Sequence, residues 1–348
     1  MERKRLNQMN TASSTKFGLI GCGDMGSVRA AAIGDAGLQL TAVSDVDPKR
    51  LNGVASRSKA QAEVDWRTLV NRTDVDAVIV STPPNLHAEM CIEALRAGKH
   101  VLCEKPLARS PEECRKIIDV AEKSGKFLAT GFNYRFLASF EMARHWLQTG
   151  VIGRVSYIKS YAGYSARDHH QQWLHDVQIT GGGALRDNGI HLIDLTRLFL
   201  GEVTEVNGFA TNGIWKFKDC EDDGFLTMRN PDGAIASLHA SWTEFRRYRF
   251  IIEIFGTLGV IRVSCFPMFA DLIQVPSNGE ASKKKTYYFP YLNVMEHLRS
   301  YRWIVKNSVI KELTAFSAAT HNERTYIATG YDGLRAIEIA AAATNKLE

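Results

Sequence analysis

No pair of cysteines in this 348-residue chain stands at a metal-binding or redox spacing, and no apolar run approaches the ~18 residues of a membrane-crossing helix. The six cysteines, Cys22, Cys91, Cys103, Cys114, Cys220 and Cys265, are scattered, which excludes a disulfide scaffold and reads as reduced thiols. Residues 1–15 have neither an apolar core nor a small-residue cleavage site, so they read as a disordered leader and the expected location is the cytoplasm. Internal repeats and low-complexity tracts are absent. Neither sign of charge dominates: the net charge is +5, and the basic runs at Arg3 to Arg5 and Lys283 to Lys285 are short enough to read as solvated tail and loop. A nucleic-acid partner and a membrane partner are therefore not expected.

What is present is the composition of an ordinary globular protein, with 45% hydrophobic and 23% charged residues in a chain long enough for two domains. The chain is organised around Lys16 to Gly26, KFGLIGCGDMG. Phe17 to Ile20 is an apolar strand running into Gly21, Gly23 and Gly26, with Asp24 and Met25 inside the turn, and a helix-compatible segment, Met25 to Ala36, follows. Strand, glycine turn and helix in that order is where a Rossmann sheet holds a dinucleotide. The first glycine permits the tight turn, the second lets pyrophosphate approach the backbone, and the third lets the helix pack close with its N-terminal amides aimed at phosphate. A second strand, Leu38 to Ser44, ends in Asp45, about 20 residues beyond the turn, where an acid reaches the adenosine ribose. This carboxylate favours NAD and repels a 2′-phosphate, while Lys49 and Arg50 stand near enough to leave NADP open. The alternative is a strand-helix corner that holds no ligand, and the full strand, turn, helix and acid context weighs against it.

Alternation of strand and helix continues. Pro48 to Ser58 and Trp66 to Asn71 suit helices, and Asp76 to Ser81 is a β-branched run fit for burial on both faces. It ends in Thr82, Pro83, Pro84, Asn85, Leu86 and His87, where the prolines stop the strand over the expected crevice and Asn85 is placed to cap a helix running to Ala97. His100 to Cys103 is a further short strand, and Glu104, Lys105 and Pro106 follow at the sheet edge where α/β folds keep their chemistry. Ser110 and Glu113 form a capping box opening a helix to Ser124, and Phe127 to Thr130 is a last strand. Lys16 to Thr130 is thus a doubly wound parallel pattern. After a helix at Leu137 to Thr149, strand runs recur at Val155 to Tyr164, Val203 to Thr211, Gly224 to Met228, Ala234 to Trp242, Arg249 to Phe255, Val260 to Ser264 and Asp271 to Val275, a largely antiparallel set. Helices at Gly183 to Leu200, Val294 to Asn307 and Gly333 to Lys346 accompany them. The expected division is a leader 1–15, a dinucleotide-binding domain 16–133 and a substrate and oligomerisation domain 134–348.

A second constellation lies in GGGALRDNGIHLIDL, Gly181 to Leu195. On the helical reading Asp187 and His191, four apart, share one face, an arrangement suited to proton transfer at a bound hydroxyl; a surface pair or a satisfied core histidine is the competing reading. His169, His170 and His175 cluster between residues 163 and 180, but no cysteine accompanies them and no metal is expected. This polar and aromatic stretch reads as a substrate lid, with Arg167, His170 and Trp173 as sugar contacts. Trp242, Arg246 and Arg247 serve a phosphorylated or nucleotide-linked sugar or are sheet-edge charges.

Taken together, the glycine turn, Asp45, TPPNLH at Thr82 to His87, AGKHVLCEKPLA at Ala97 to Ala108, GFNYRF at Gly131 to Phe136 and the Gly181 to Leu195 segment resemble the Gfo/Idh/MocA family, whose namesakes include glucose-fructose oxidoreductase and inositol dehydrogenase. The resemblance spans nearly the whole chain. It implies a Rossmann domain and a C-terminal α+β domain with a large open sheet, meeting at the nicotinamide. It also implies that Lys105 contacts substrate and nicotinamide, with Asp187 and His191 beside it. Ser81, Thr82, Pro83, Asn85, His87, Glu104 and Asn133 would border the cofactor, and Arg135 the substrate. The expected activity is NAD(P)-dependent hydride transfer between the nicotinamide and a secondary alcohol or ketone of a sugar or cyclitol, with either Lys105 or His191 as base. A redox-assisted glycosidase and a non-catalytic NAD or sugar sensor are the rivals. The open sheet implies a dimer or tetramer.

Overall fold

The structure, a computed structural model, describes residues 15–168, 172–217, 219–275, 281–299 and 301–344. His170 and residues 1–14 of the expected leader lie outside them.

Strands buried on both faces are near-continuous apolar runs, and the first half of the chain supplies them in alternation with helices. These are β1 (Lys16–Ile20), α1 (Asp24–Asp35), β2 (Gln39–Ser44), α2 (Pro48–Ser58), β3 (Gln61–Glu63), α3 (Trp66–Val70), β4 (Ala77–Val80), α4 (His87–Arg96), β5 (His100–Glu104), α5 (Pro111–Ser124) and β6 (Leu128–Gly131). The strands form one six-stranded parallel sheet in the order β3-β2-β1-β4-β5-β6. The order reverses between β1 and β4, so their carboxyl ends open a crevice at the glycine turn. Local chemistry sets the helix starts: Asp47 accepts from the amides of Lys49 and Arg50, and Ser110 from that of Glu113. Two capping expectations change. Asn85 sits in a 3-10 turn, Pro84–Leu86, and α4 begins at His87 with no side-chain cap. The Ser110 box is half-made, because Glu113 turns its carboxylate to the Arg109 amide (3.0 Å). Strand β3, short and polar, gave no apolar signal.

The second half adds α6 (Ala138–Gln148), β7 (Val155–Gly163), α7 (Val177–Thr180), α8 (Asn188–Leu200), β8 (Glu205–Thr211), β9 (Asp223–Arg229), β10 (Ile235–Ser241), β11 (Arg249–Gly256), β12 (Gly259–Cys265), β13 (Met268–Gln274), β14 (Lys283–Tyr288), α9 (Pro290–Arg299), α10 (Tyr301–Thr320) and α11 (Gly330–Thr344). Its eight strands run β14-β13-β12-β11-β7-β10-β9-β8, antiparallel except for the β7–β10 pair. Helices α6, α8 and α11 pack on one face of this sheet. Lys283 to Lys285, expected as loop, are strand residues with exposed side chains: ladder bonds to Leu272, Ile273 and Gln274 of β13 place them, and apolar alternation plays no part. The helix expected from Gly183 starts only at Asn188, and the one expected at Val294 to Asn307 is two helices, α9 and α10.

Helix α10 does not stay with the second sheet. Val305, Val309, Leu313 and Phe316 are buried in one cluster with Phe17, Leu19 and Ile33, and the Phe316 ring lies 6.0 Å from that of Phe17 and 5.9 Å from that of Phe127. A single cut at 133/134 therefore does not separate the two cores. Under α10 the fully buried Arg29 of α1 bridges Glu104 at the end of β5 (2.5 Å) and Glu312 of α10 (2.9 Å). One guanidinium between two buried carboxylates leaves a surplus negative charge, and burial pushes the Glu312 carboxyl up to about 7. No helix among the described residues is long and apolar enough to cross a membrane.

A carboxyl whose pKa is raised on folding binds its proton more tightly in the folded state, so its contribution to stability is present at low pH and is lost as pH rises to about 7. Glu312→Gln, which keeps an acceptor for Arg29 but cannot ionise, is expected to gain denaturation midpoint relative to the parent on going from about pH 5 to pH 8. Urea melts of both proteins across that range check it; a difference independent of pH contradicts it.

Candidate active site

The crevice is built for close approach. A Cβ on Gly26 would stand 1.9 Å from the carbonyl oxygen of Gly21, so only glycine lets α1 pack against the turn. A Cβ on Gly23 would meet nothing within 4 Å, which leaves open space at the N-terminus of α1, whose cap residue Gly23 offers no side chain to its amides. Ser81, at the end of β4 beside the turn, has a buried hydroxyl with no hydrogen-bond partner. Bare helix amides, an open approach and an orphaned hydroxyl fit a dinucleotide phosphate. Asp45 straps the turn: its oxygens accept from the amides of Cys22 (2.6 Å) and Asp47 (2.8 Å), which holds a carboxylate at the end of β2. Asp24 and Asn85 are exposed on the rim, and Met25, Thr82 and Pro83 are half-buried.

Lys105 follows β5, and its Nζ donates to Asp187 Oδ1 (3.0 Å) and to the Asp187 carbonyl (3.1 Å). Asp187 is the cap residue of α8 rather than a residue within it, with φ −87 and ψ −94, so it does not share a helix face with His191. The link is spatial instead. His191, in the first turn of α8, feels the charges of both Lys105 and Asp187. The other Asp187 oxygen accepts from the Tyr164 hydroxyl and from Trp242 Nε1 (3.3 Å). The His191 ring stacks on Tyr134 at 4.1 Å, and the Tyr134 hydroxyl bonds that of Tyr248 at 2.9 Å. Burial, and then the Lys105 ammonium, hold the His191 pKa well below its ordinary value, and its Nδ1 is buried without a hydrogen-bond partner.

The loop before Asp187 is itself clamped. Glu221 accepts from the amides of Gly183 (2.7 Å) and Leu185 (2.9 Å), and its carbonyl from that of Ala184 (2.9 Å). A Cβ on Gly183 would stand 1.9 Å from that carbonyl, which explains a glycine there. Its neighbour Asp222 takes the amides of Gly213, Ile214 and Trp215. Sequence reasoning missed Tyr164, Glu221 and Asp222. A run of acids, Glu221 to Asp223, beside strand β9 was the only available signal, and it reads equally as a solvated turn.

Several expected contacts point elsewhere. Arg135 directs its guanidinium to Asp194 (2.8 and 2.5 Å), to Asp332 (3.4 Å) and to the Tyr326 carbonyl (3.2 Å), so all three of its nitrogens are engaged within the protein. Asn133 donates its amide to Ser308 of α10 (2.8 Å). Glu104 is turned inward onto Arg29, and His87 is wholly buried between two carbonyl groups, so neither side chain faces the crevice. Arg167 is exposed, 6.0 Å from the Phe245 ring, and Trp173 is half-buried in a 3-10 turn, Gln172–His175. Trp242 is a buried member of the Asp187 network rather than an edge residue, while Arg246 pairs with Glu244 (2.8 Å) and Arg247 lines a groove with Arg249 and Arg262 on the second sheet. Among the described residues no group of three or more His, Cys, Asp or Glu is placed to hold a metal.

A parallel sheet with a phosphate-ready crevice, opening on an ammonium, a carboxylate and a neutral imidazole, defines an NAD-binding oxidoreductase. A family model described as an oxidoreductase family with an NAD-binding Rossmann fold matches residues 15–132, and the C-terminal domain model of the same family matches residues 140–262. The chain belongs to the Gfo/Idh/MocA oxidoreductase family. Myo-inositol 2-dehydrogenase of Thermotoga maritima is 28% identical over 96% of each chain. Levoglucosan dehydrogenase of Pseudarthrobacter phenanthrenivorans is 31% identical over a match spanning 57% of each chain. A solved levoglucosan dehydrogenase in complex with NADH and levoglucosan superposes with a TM-score of 0.85 at 25% identity, over 96% of this chain and 97% of that one.

Because its pKa is lowered, His191 is neutral above the ordinary histidine value of about 6.5 and for some way below it. In ¹⁵N-histidine-labelled protein, the ring signal lost in His191→Gln is expected to show no titration between about pH 8 and pH 6.5. A midpoint inside that window contradicts this environment.

Proposed function

We propose that this chain is an NAD-dependent dehydrogenase that moves a hydride between the nicotinamide and a secondary alcohol or ketone of a sugar, cyclitol or related polyol. The observation that carries the reading is the pairing of Lys105 with Asp187 at 3.0 Å beside a buried, neutral His191. NAD, when bound, supplies the hydride acceptor. In the oxidising direction His191 takes the hydroxyl proton, since a neutral imidazole carries a lone pair that can accept it. Lys105, anchored on Asp187, donates a hydrogen bond to the oxygen as negative charge builds on it. Asp187 is held in turn by Tyr164 and Trp242, so the ammonium is aimed before substrate arrives. Asp45 supports NAD over NADP, because a fixed negative charge at the end of β2 opposes a 2′-phosphate. Relatives named for inositol and levoglucosan support an uncharged polyol as substrate.

The uncovered face of the second sheet supports self-association. Strand register aligns Phe209, Phe225, His239, Tyr161 and Ile251 in one row across five strands, with Phe209 75% and Phe225 53% exposed. An aromatic row of this kind is buried by a second copy, giving a dimer or tetramer.

Lys105→Ala and His191→Ala are each expected to lower turnover by about 10² or more, with NADH binding by fluorescence largely retained. A panel of sugars and cyclitols scored by NADH absorbance names the substrate; product release without net NADH would replace this reading with a redox-assisted lyase or glycosidase. Phe225→Glu is expected to elute as a monomer in light-scattering chromatography where the parent does not. A monomeric parent overturns the assembly.

A further inference from the structure

His87 is an imidazole, buried behind the crevice, that the proposed reaction leaves unused. It is the first residue of α4 and is completely buried. Its Nε2 lies 2.8 Å from the carbonyl oxygen of Thr82, in the loop after β4, and its Nδ1 lies 2.9 Å from the carbonyl oxygen of Pro106, in the loop after β5. Carbonyl oxygens only accept. A neutral imidazole has one N–H and one lone pair, so it satisfies one of these oxygens and holds its lone pair against the other. The doubly protonated ring satisfies both.

Two influences compete on that proton. Burial is the larger and disfavours a charged ring, holding the pKa below the ordinary histidine value as far as solvation and neighbouring groups decide it. The carbonyls of Thr82 and Pro106, the Leu107 backbone and the carboxylate of Glu104 favour it. Glu104 is the charged side chain that acts on His87 from β5, and it is itself tied to Arg29 of α1. The ring is enclosed, and a nitrogen under 3 Å from its oxygen leaves no room between them for a water to relieve a lone pair facing that oxygen. The cost of the mismatch falls on the neutral form.

We propose that His87 is a buried imidazolium that ties the Thr82 loop to the Pro106 loop, and that it is a positioning residue for Lys105. Pro106 is bonded directly to Lys105, so the tie fixes the peptide from which the ammonium reaches Asp187. The Thr82 end fixes the loop that follows Ser81 on the crevice wall. The inference rests on the reading that Lys105 acts at the reacting carbon, while the protonation state stands apart from that reading.

Long-range ¹H–¹⁵N spectra of the full chain labelled with ¹⁵N-histidine, with His87 identified by its loss in His87→Gln, read the ring directly. Both nitrogens are expected to carry protons at about pH 7.5. One bare nitrogen there overturns the proposal, whatever the variants do. His87→Gln, whose donors sit on one nitrogen where the ring has two nitrogens facing two separate carbonyls, is expected to lose roughly tenfold to a hundredfold in kcat with the Kd for NADH nearly unchanged. His87→Ala, which donates to neither, is expected to lose more. Full kcat in His87→Gln overturns the positioning role, and should either variant fail to fold, the spectrum of the parent still decides the protonation state. If Lys105→Ala keeps full turnover while His87 is doubly protonated, the assignment of Lys105 fails and the imidazolium stands.

Discussion

The Lys105–Asp187 ion pair joins the two halves of the molecule at the point where chemistry is proposed. Lys105 is carried by the edge of a parallel sheet, Asp187 by a loop clamped to a largely antiparallel one, and the 3.0 Å contact requires both to be delivered to the same spot. Each partner is therefore surrounded by contacts whose role is to fix backbone. Glu221 gathers three successive amides before Asp187, and Arg29 draws Glu104 inward just before Lys105. An exposed pair of this kind would contribute little. Here both charges are partly enclosed and geometrically constrained, so removing either leaves the other without its compensation.

Much of this was legible in the residues. The parallel sheet follows from continuous apolar runs separated by glycine and proline, and the crevice from the glycine turn and Asp45, because those features depend on local sequence alone. The antiparallel sheet was legible too, apart from β14, whose three exposed lysines show no alternation. What failed were inferences that turn a spacing into a direction. Asp187 and His191 are four apart, yet the helix begins between them, because Gly181 to Gly183 and the Glu221 clamp hold the preceding segment out of helical geometry. Their proximity is tertiary. Arg135, Asn133, Glu104 and His87 lie at motif positions beside the crevice but turn inward, since each meets a buried partner that no one-dimensional pattern reveals: Asp194, Ser308, Arg29 and two peptide carbonyls.

Glu221, Asp222 and Asp223 carry no pattern in the sequence that separates them from a solvated turn, yet each organises a separate neighbour: the Asp187 loop, the 213–215 loop, and the His239 and Thr243 side chains. Backbone amides are strong donors that must be paired when buried, and short acidic side chains are the most economical acceptors for a tight loop. Charge in a sequence is thus ambiguous until the fold shows whether it faces water or peptide.

The return of α10 across the first sheet has a practical corollary. Phe17, Phe127 and Ile33 are sealed by Phe316, Leu313 and Val309, residues nearly three hundred positions from the glycine turn they help to cover. The nucleotide half is consequently not a portable module. Cut away after residue 133, it would present a greasy flank and leave Arg29 with Glu104 as its sole carboxylate, and it would be prone to clump rather than to bind its cofactor as a free-standing fragment.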